Sequence, residues 1–452
     1  MIWGLPAYLL FIIILFLYFV RPSWVLLLWL ITTPLIAPFM VFYTGINDFE
    51  EVQLYVWSIW GIYNRAYLLI ILIELCKGSK LKGNLRVLLV PGAILALYLT
   101  IHNLATYPNI MSIIGQYIGI IYTVPPMIAL MLNKKMWPSI KSIYVVVVVV
   151  YIIEIIWIPL NANGVYAYAS RYQELLKGEL LLTCGTFTRS NMLADYVAIT
   201  YFFIMLDYFT RKSTHIIWFV LISVLALVLL FSAGSKLPIV VVFTGFIICI
   251  FLFRRDKMAL VAASLAAFVG VLFILSANSR DLETDNEGVN RIVDGLSSVI
   301  QSHTKGEIDE STFSVSGEVI ERYFWRSPII GNGYSYKYDE VSDAYPVTMG
   351  DVDLKADATF AYYLVEYGFI GVLIFMLFYY NVIKCACYII PYQRKKIILA
   401  IFLFFLLFSA TEGGLFNRPV YTYVYMFLFA ATRYYYESLK QHRKQVVIVE
   451  SK

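Results

Sequence analysis

The stretch Ile143-Tyr144-Val145-Val146-Val147-Val148-Val149-Val150-Tyr151-Ile152-Ile153-Glu154-Ile155-Ile156-Trp157-Ile158-Pro159 carries a single charged side chain, Glu154. Six consecutive valines would put apolar groups on both faces of a strand, so the alternation that a membrane β-barrel needs is absent. A helix satisfies its own backbone in lipid and needs about 20 apolar residues to cross roughly 30 Å of hydrocarbon. Residues 215–231 and 397–408 read the same way. Of the 452 residues, 60% are hydrophobic and 14% charged, against roughly 25% charged in soluble domains. The chain is read as an all-α integral membrane protein.

Apolar blocks place spans at 3–20, 24–43, 54–76, 87–105, 110–132, 143–160, 190–210, 215–233, 238–253, 258–276, 359–382, 397–411 and 419–436. Misreading one early pair would reduce this set to twelve. Lys and Arg concentrate in cytoplasmic loops. Lys77, Lys80, Lys82 and Arg86 share one turn, Lys134, Lys135 and Lys141 another, Arg211 and Lys212 a third, and Arg254, Arg255 and Lys257 a fourth. Lys384, Arg394, Lys395 and Lys396 fall between later spans, and Lys440, Arg443 and Lys444 in the tail. If spans alternate, all of these share the cytoplasmic side, with Lys236 and Arg418 as lone exceptions outside. The polar segments 161–189 and 277–358 then lie outside.

The chain divides accordingly. Residues 1–276 form an N-terminal bundle of about ten helices with the outer loop 161–189. Residues 277–358 form a large outer loop, and 359–452 three helices with a short basic tail. The N-terminus, lacking a basic leader and a small-residue cleavage site, is not read as a removable signal peptide. The five cysteines form no disulfide or metal framework.

A loop as long as 277–358, far beyond about 15 residues, is usually functional or disordered. Its end is the most informative part of the chain. It reads Arg322-Tyr323-Phe324-Trp325-Arg326-Ser327-Pro328-Ile329-Ile330-Gly331-Asn332-Gly333-Tyr334. Asp357 follows at a helix start, then Glu366-Tyr367-Gly368-Phe369-Ile370-Gly371. Arg322 and Trp325, three apart, share a helical face just before a proline stop. The Gly-x-Gly pair gives a sharp turn where backbone can approach a ligand. Gly368 and Gly371 permit tight helix packing. The aromatic and apolar content of 318–334 predicts that it folds back onto the membrane part.

Together these residues resemble the O-antigen polymerase and ligase superfamily of bacterial membrane glycosyltransferases, which shows an Arg…Trp…Pro-x-x-Gly-x-Gly segment and then a Glu-x-Gly-x-x-Gly helix. Gly185-Thr186-Phe187 with Asn191 and Ala194, and Ser235-Lys236, are weaker echoes, with Lys236 in place of the usual arginine. The resemblance implies a GT-C-like glycosyltransferase architecture with about 12–13 transmembrane helices and a large periplasmic loop. It implies an enzyme of the bacterial inner membrane acting on undecaprenyl-diphosphate-linked oligosaccharides at the periplasmic face. A chain-length regulator and a flippase are the partners it implies; nucleic acid is not expected. The ligase branch has a histidine where this chain has Asp357, and aspartate looks more like the polymerase branch, the Wzy proteins.

Such a reaction requires charge stabilisation on a leaving lipid diphosphate and a base for a sugar hydroxyl. Arginine binds phosphate oxygens bidentately. Arg322 and Arg291, then Arg189 and Arg171, are expected on the diphosphate, and Asp357 is expected to be the base. Gly331, Gly333 and Tyr334 are expected at the substrate. Arg65, mid-span beside Asn64, is expected on the lipid-phosphate path unless the third span is mis-set. No metal-ligand cluster is visible, so metal-independent chemistry without a cofactor is expected.

Plainer roles stand beside these. Arg322 could pair with Glu318 or Glu321, and Asp357 could cap the helix that starts near Thr359. Arg326 reads as structural, and His102 shows no partner pattern. Glu154 and Asp207 are intramembrane acids, functional hypotheses by default. Three further functions compete with the polymerase: the ligase that moves finished glycan to lipid A-core, a lipid-linked oligosaccharide flippase, and a cell-shape peptidoglycan polymerase. A transporter should show internal repeats and broken midplane helices.

Overall fold

The computed structural model describes residues 5–44, 49–79, 86–106, 117–162, 185–187, 190–210, 216–233, 236–253, 320, 323–333, 359–386 and 394–411. They form eleven α-helices, with no strand among the described residues. In order these are α1 (Leu5–Val20), α2 (Trp24–Thr44), α3 (Phe49–Cys76), α4 (Arg86–Thr106), α5 (Ile118–Leu132), α6 (Ile140–Ala162), α7 (Ser190–Thr210), α8 (Ile216–Ala233), α9 (Lys236–Phe253), α10 (Thr359–Ala386) and α11 (Arg394–Thr411). Each coincides with a span expected from sequence. The expected spans 258–276 and 419–436, and most of the loop 277–358, lie outside the described residues. Among the described residues four stretches, Arg86–Thr106, Lys134–Trp157, Met192–Thr210 and Tyr363–Cys385, are long and apolar enough to cross a bilayer. The protein is an all-α integral membrane protein.

Helix α7 is the centre. Every side chain from 192 to 207 is buried, so apolar residues stand on all its faces rather than on one stripe, with Asp195, Thr200 and Asp207 buried among them. Helices α8 and α9 pack on it, while α6 lies against α8 and α2. Polar groups tie it sideways. Tyr196 Oη donates to Leu30 O of α2 (3.0 Å), Tyr151 Oη of α6 lies 2.6 Å from Thr200 Oγ1, and Tyr201 Oη donates to Ser223 Oγ of α8 (2.7 Å). Bonds of this kind average about 0.6 kcal/mol in a membrane protein. At Gly245 the α9 backbone comes close to the stacked rings of Phe202 and Phe404, 3.8 Å apart. Through that contact α11 joins the core, and α10 lies between α11 and α4.

The basic turns gather at one end. Asn133 Nδ2 donates to Glu74 (3.0 Å), bringing the Lys134 turn beside Lys77. Cys385 Sγ lies 3.6 Å from Met131 Sδ, placing Lys384 at the same end. Tyr144 Oη donates to Asp207 Oδ2 (2.7 Å), which adds the Lys141 turn and the foot of α7. Glu74 is buried there and also accepts from Tyr18, from Ser79 Oγ (2.5 Å) and from Lys77 Nζ (3.4 Å). A buried carboxylate is tolerable when its lone pairs are taken in this way. The candidate site lies at the opposite end.

Candidate functional site

Helix α10 does not run straight. At Gly368 the backbone adopts φ 64°, ψ −171°, a region open essentially to glycine alone. The helix breaks, and the Val365 and Glu366 carbonyls and the Phe369 and Ile370 amides turn to partners outside the helix. Backbone groups at membrane depth must be satisfied within the protein. The turn at 327–333 satisfies all four. Asn332 N donates to Val365 O (3.0 Å) and Gly333 N to Glu366 O (2.9 Å). In return Phe369 N donates to Pro328 O (3.0 Å) and Ile370 N to Ile329 O (3.0 Å). Asn332 Nδ2 ties the same seam to Tyr323 O (2.7 Å) and Val365 O (3.1 Å). The two motifs found in sequence are thus halves of one reciprocal latch.

The glycines make it possible. Gly331 has φ 82°, and a Cβ there would overlap the Glu366 carbonyl and the Gly368 amide. A Cβ at Gly368 would meet the Gly331 amide and the Ile329 carbonyl. One at Gly333 would run into the Thr106 side chain of α4. The close backbone approach expected of Gly331 and Gly333 is therefore an approach to α10 and α4.

Helix α4 completes the seat. Tyr98 Oη donates to Tyr367 O (2.7 Å), with Ile330 O at 3.3 Å. His102 is buried and stacks on Tyr98, ring centroids 5.5 Å apart, with Tyr367 at 5.3 Å. Its ring faces the Ile330 carbonyl and the buried Glu366 without an aligned hydrogen bond. These α4 residues were missed from sequence because their partners lie more than two hundred positions away. Regular spacing of hydrogen-bonding side chains along α4 (Tyr98, His102, Thr106, one turn apart) is the signal that could have found them.

A second feature lies at the same end. Buried Glu154 of α6 accepts from the amide of Thr186 (2.7 Å) and from its hydroxyl. It thereby holds the Gly185-Thr186-Phe187 turn that leads into α7. Phe187 packs on Tyr196 (5.4 Å). An intramembrane acid read as a functional hypothesis is in structure the cap of a motif turn.

Of the candidate residues, Gly331 and Gly333 are brought together in the latch. Arg65 is exposed on α3, on the outward stripe of Leu68 and Leu72, while Asn64 is buried. Arg65 therefore points away from the bundle interior. Trp325 and Arg326 lie in a 3-10 turn, Phe324–Arg326, rather than an α-helix, with Arg326 over the Tyr323 ring at 5.1 Å. Asp357, Arg322, Arg291, Arg189, Arg171 and Tyr334 lie outside the described residues. In the chain, Arg322 directly precedes Tyr323, and Asp357 stands two residues ahead of Thr359, where α10 starts.

Fold and site define a polytopic membrane protein in which the turn at 327–333 docks into a broken helix. The O-antigen ligase family model matches residues 221–376, about a third of the chain. The matched region runs from within α8 to within α10 and contains both halves of the latch. The similarity supports the O-antigen polymerase/ligase superfamily and a membrane glycosyltransferase-like enzyme; it covers polymerase and ligase alike and lends nothing to a flippase. No curated protein matches the chain.

Proposed function

We propose that this protein is a polymerase that joins undecaprenyl-diphosphate-linked oligosaccharide repeat units into surface polysaccharide at the periplasmic face of the bacterial inner membrane. The observation that carries the reading is the latch, since both halves fall inside the region similar to the O-antigen ligase family. Asp357, in place of a histidine ahead of α10, favours polymerase over ligase.

In this reading a hydroxyl oxygen of the acceptor glycan attacks the anomeric carbon of the donor. The bond from that carbon to the diphosphate oxygen breaks, and the lipid diphosphate leaves with the electron pair. Asp357 takes the hydroxyl proton. Arg322 and Arg291 stabilise the charge on the leaving diphosphate, the role for which a planar guanidinium is suited. Arg189 and Arg171 are next in line to bind the diphosphate, and Tyr334 stacks on sugar. The chemistry runs without a metal, and activity insensitive to chelators is the expected result. A chain-length regulator and a flippase act alongside it.

Deleting the gene in the native host tests this. Loss of a polymerase leaves single repeat units on the surface; loss of a ligase leaves bare core while lipid-linked polymer accumulates. Arg322→Ala and Asp357→Ala should each abolish long chains at unchanged protein level. Normal chain length in Asp357→Ala would remove it as the base.

A further inference from the structure

The latch turn belongs in sequence to a long polar outer loop, yet its outward side is apolar. Trp325 is 72% exposed, Ile329 63% and Ile330 53%. These side chains adjoin Phe369 (55%) and continue into Leu373 (63%) on the outward stripe of α10. Large apolar groups in a run of this kind on a water-facing loop would mark an interaction surface.

Depth identifies what the surface meets. At about 1.5 Å per residue, Gly368 lies roughly 24 Å above Lys384, and Tyr98 roughly 18 Å above Arg86, both counted from the basic end. Both heights fall inside a hydrocarbon slab of about 30 Å. Irregular backbone survives at that depth only where its polar groups are satisfied by protein. Much of the turn's backbone meets this condition. Ser327 O accepts from Gly331 N (2.8 Å), Pro328 O and Ile329 O accept from α10, and Ile330 O faces Tyr98 Oη. Asn332 N and Gly333 N donate to α10. A water-exposed loop has no need of such extensive internal bonding.

We propose that residues 325–333 form a re-entrant turn seated in the leaflet opposite the basic end, with Ile329 and Ile330 in contact with lipid chains and Trp325 at their boundary. Trp325 beside Arg326 suits the boundary, where an amphipathic ring sits at headgroup level and a cation reaches phosphate. One consequence rests on the glycosyl-transfer reading. The seat fixes the height of the loop against the bilayer, so the diphosphate of a lipid-linked glycan meets the side chains of this loop at constant depth.

The test is a depth measurement on the full chain in phospholipid vesicles. Nitroxide labels are placed on Ile329→Cys, Ile330→Cys and, as a second site less critical to packing, Trp325→Cys, with the unsubstituted chain as background. Leu373→Cys marks lipid and Lys135→Cys marks water. Collision with oxygen should exceed collision with a water-soluble nickel chelate at positions 329 and 330, as at 373. A chelate-dominated signal like that of 135 would overturn the proposal, because the turn would then face water. Labels reached by neither reagent would overturn it too, since a second copy or another protein would then cover the surface. No catalytic readout enters, so failure here and failure of the polymerase reading are distinguishable.

Discussion

Replacing Gly368 by alanine strikes the latch at its hinge. Two costs add. The backbone at φ 64°, ψ −171° is one in which a side chain costs about 1–3 kcal/mol. The new Cβ would also press on the Gly331 amide and the Ile329 carbonyl, which are backbone atoms and cannot swing aside. At least two of the four seam bonds must lengthen or break, each worth about 1 kcal/mol net and more at a depth without water. The sum is about 3–5 kcal/mol, a shift of roughly a hundredfold to several thousandfold toward an undocked turn, at about 1.4 kcal/mol per factor of ten. Hydrogen exchange on the full protein in lipid nanodiscs reads this directly. Protection at the Phe369 and Ile370 amides should fall by about a hundredfold or more, while α7 stays protected and long glycan chains are lost from cells. Gly78→Ala is the control. It also has positive φ (71°), but nothing lies within 4 Å of a new Cβ, so only a local strain of about 1–2 kcal/mol is expected. Unchanged protection at 369 and 370 in Gly368→Ala would refute the latch.

Other substitutions probe the rest of the bundle. Glu154→Ala leaves the Thr186 amide and hydroxyl without their buried acceptor, at about 1–3 kcal/mol. It should lower the melting temperature in detergent clearly more than Glu154→Gln, which keeps an acceptor oxygen. Equal melting of the two variants would sink that reasoning. Arg65 stands on the outward stripe about 16 Å from Cys76 along α3, a depth where an arginine costs about 2.5–3.5 kcal/mol. Arg65→Leu should therefore be no less stable than the parent and should make chains of normal length. Shortened chains would return Arg65 to the lipid-phosphate path.

The helices were legible because lipid imposes one rule on every span, and the valine run of α6 obeys it plainly. The Arg…Trp…Gly-x-Gly and Glu-x-Gly-x-x-Gly segments were legible as motifs, and folding of 318–334 back onto the membrane part was expected. What sequence could not show is which surface each segment turns toward. Gly331 and Gly333 read as an open approach for a ligand, but the atoms close to them belong to Glu366, Gly368 and Thr106. Arg65 read as lining a path; among the described residues it stands on the exposed stripe of α3, opposite the buried Tyr63 and Tyr67. His102 had no sequence pattern because its surroundings are assembled from α10 and the outer loop. Gly368 read as a packing glycine, and its positive φ is visible only in three dimensions.

The break in α10 also bears on enzyme against conduit. In transporters, broken helices hand their freed amides and carbonyls to substrate or coupling ion. Here the freed groups on both sides of Gly368 are taken by the chain's own turn, so the break is a socket for a loop. That has a consequence for energetics. Arg322 directly precedes the turn and Asp357 leads into the helix that receives it. If both act only while the latch holds, their effects and that of Gly368 cannot be independent. Residues that act as a unit lose activity non-additively. Gly368→Ala combined with Arg322→Ala should then be no worse in glycan transfer than the worse single variant. If instead the two losses multiply in the double variant, the latch and the arginine contribute separately. The loop would then be a tether that happens to dock beside the chemistry, and the docked turn would not be what holds Arg322 in register with the leaving diphosphate.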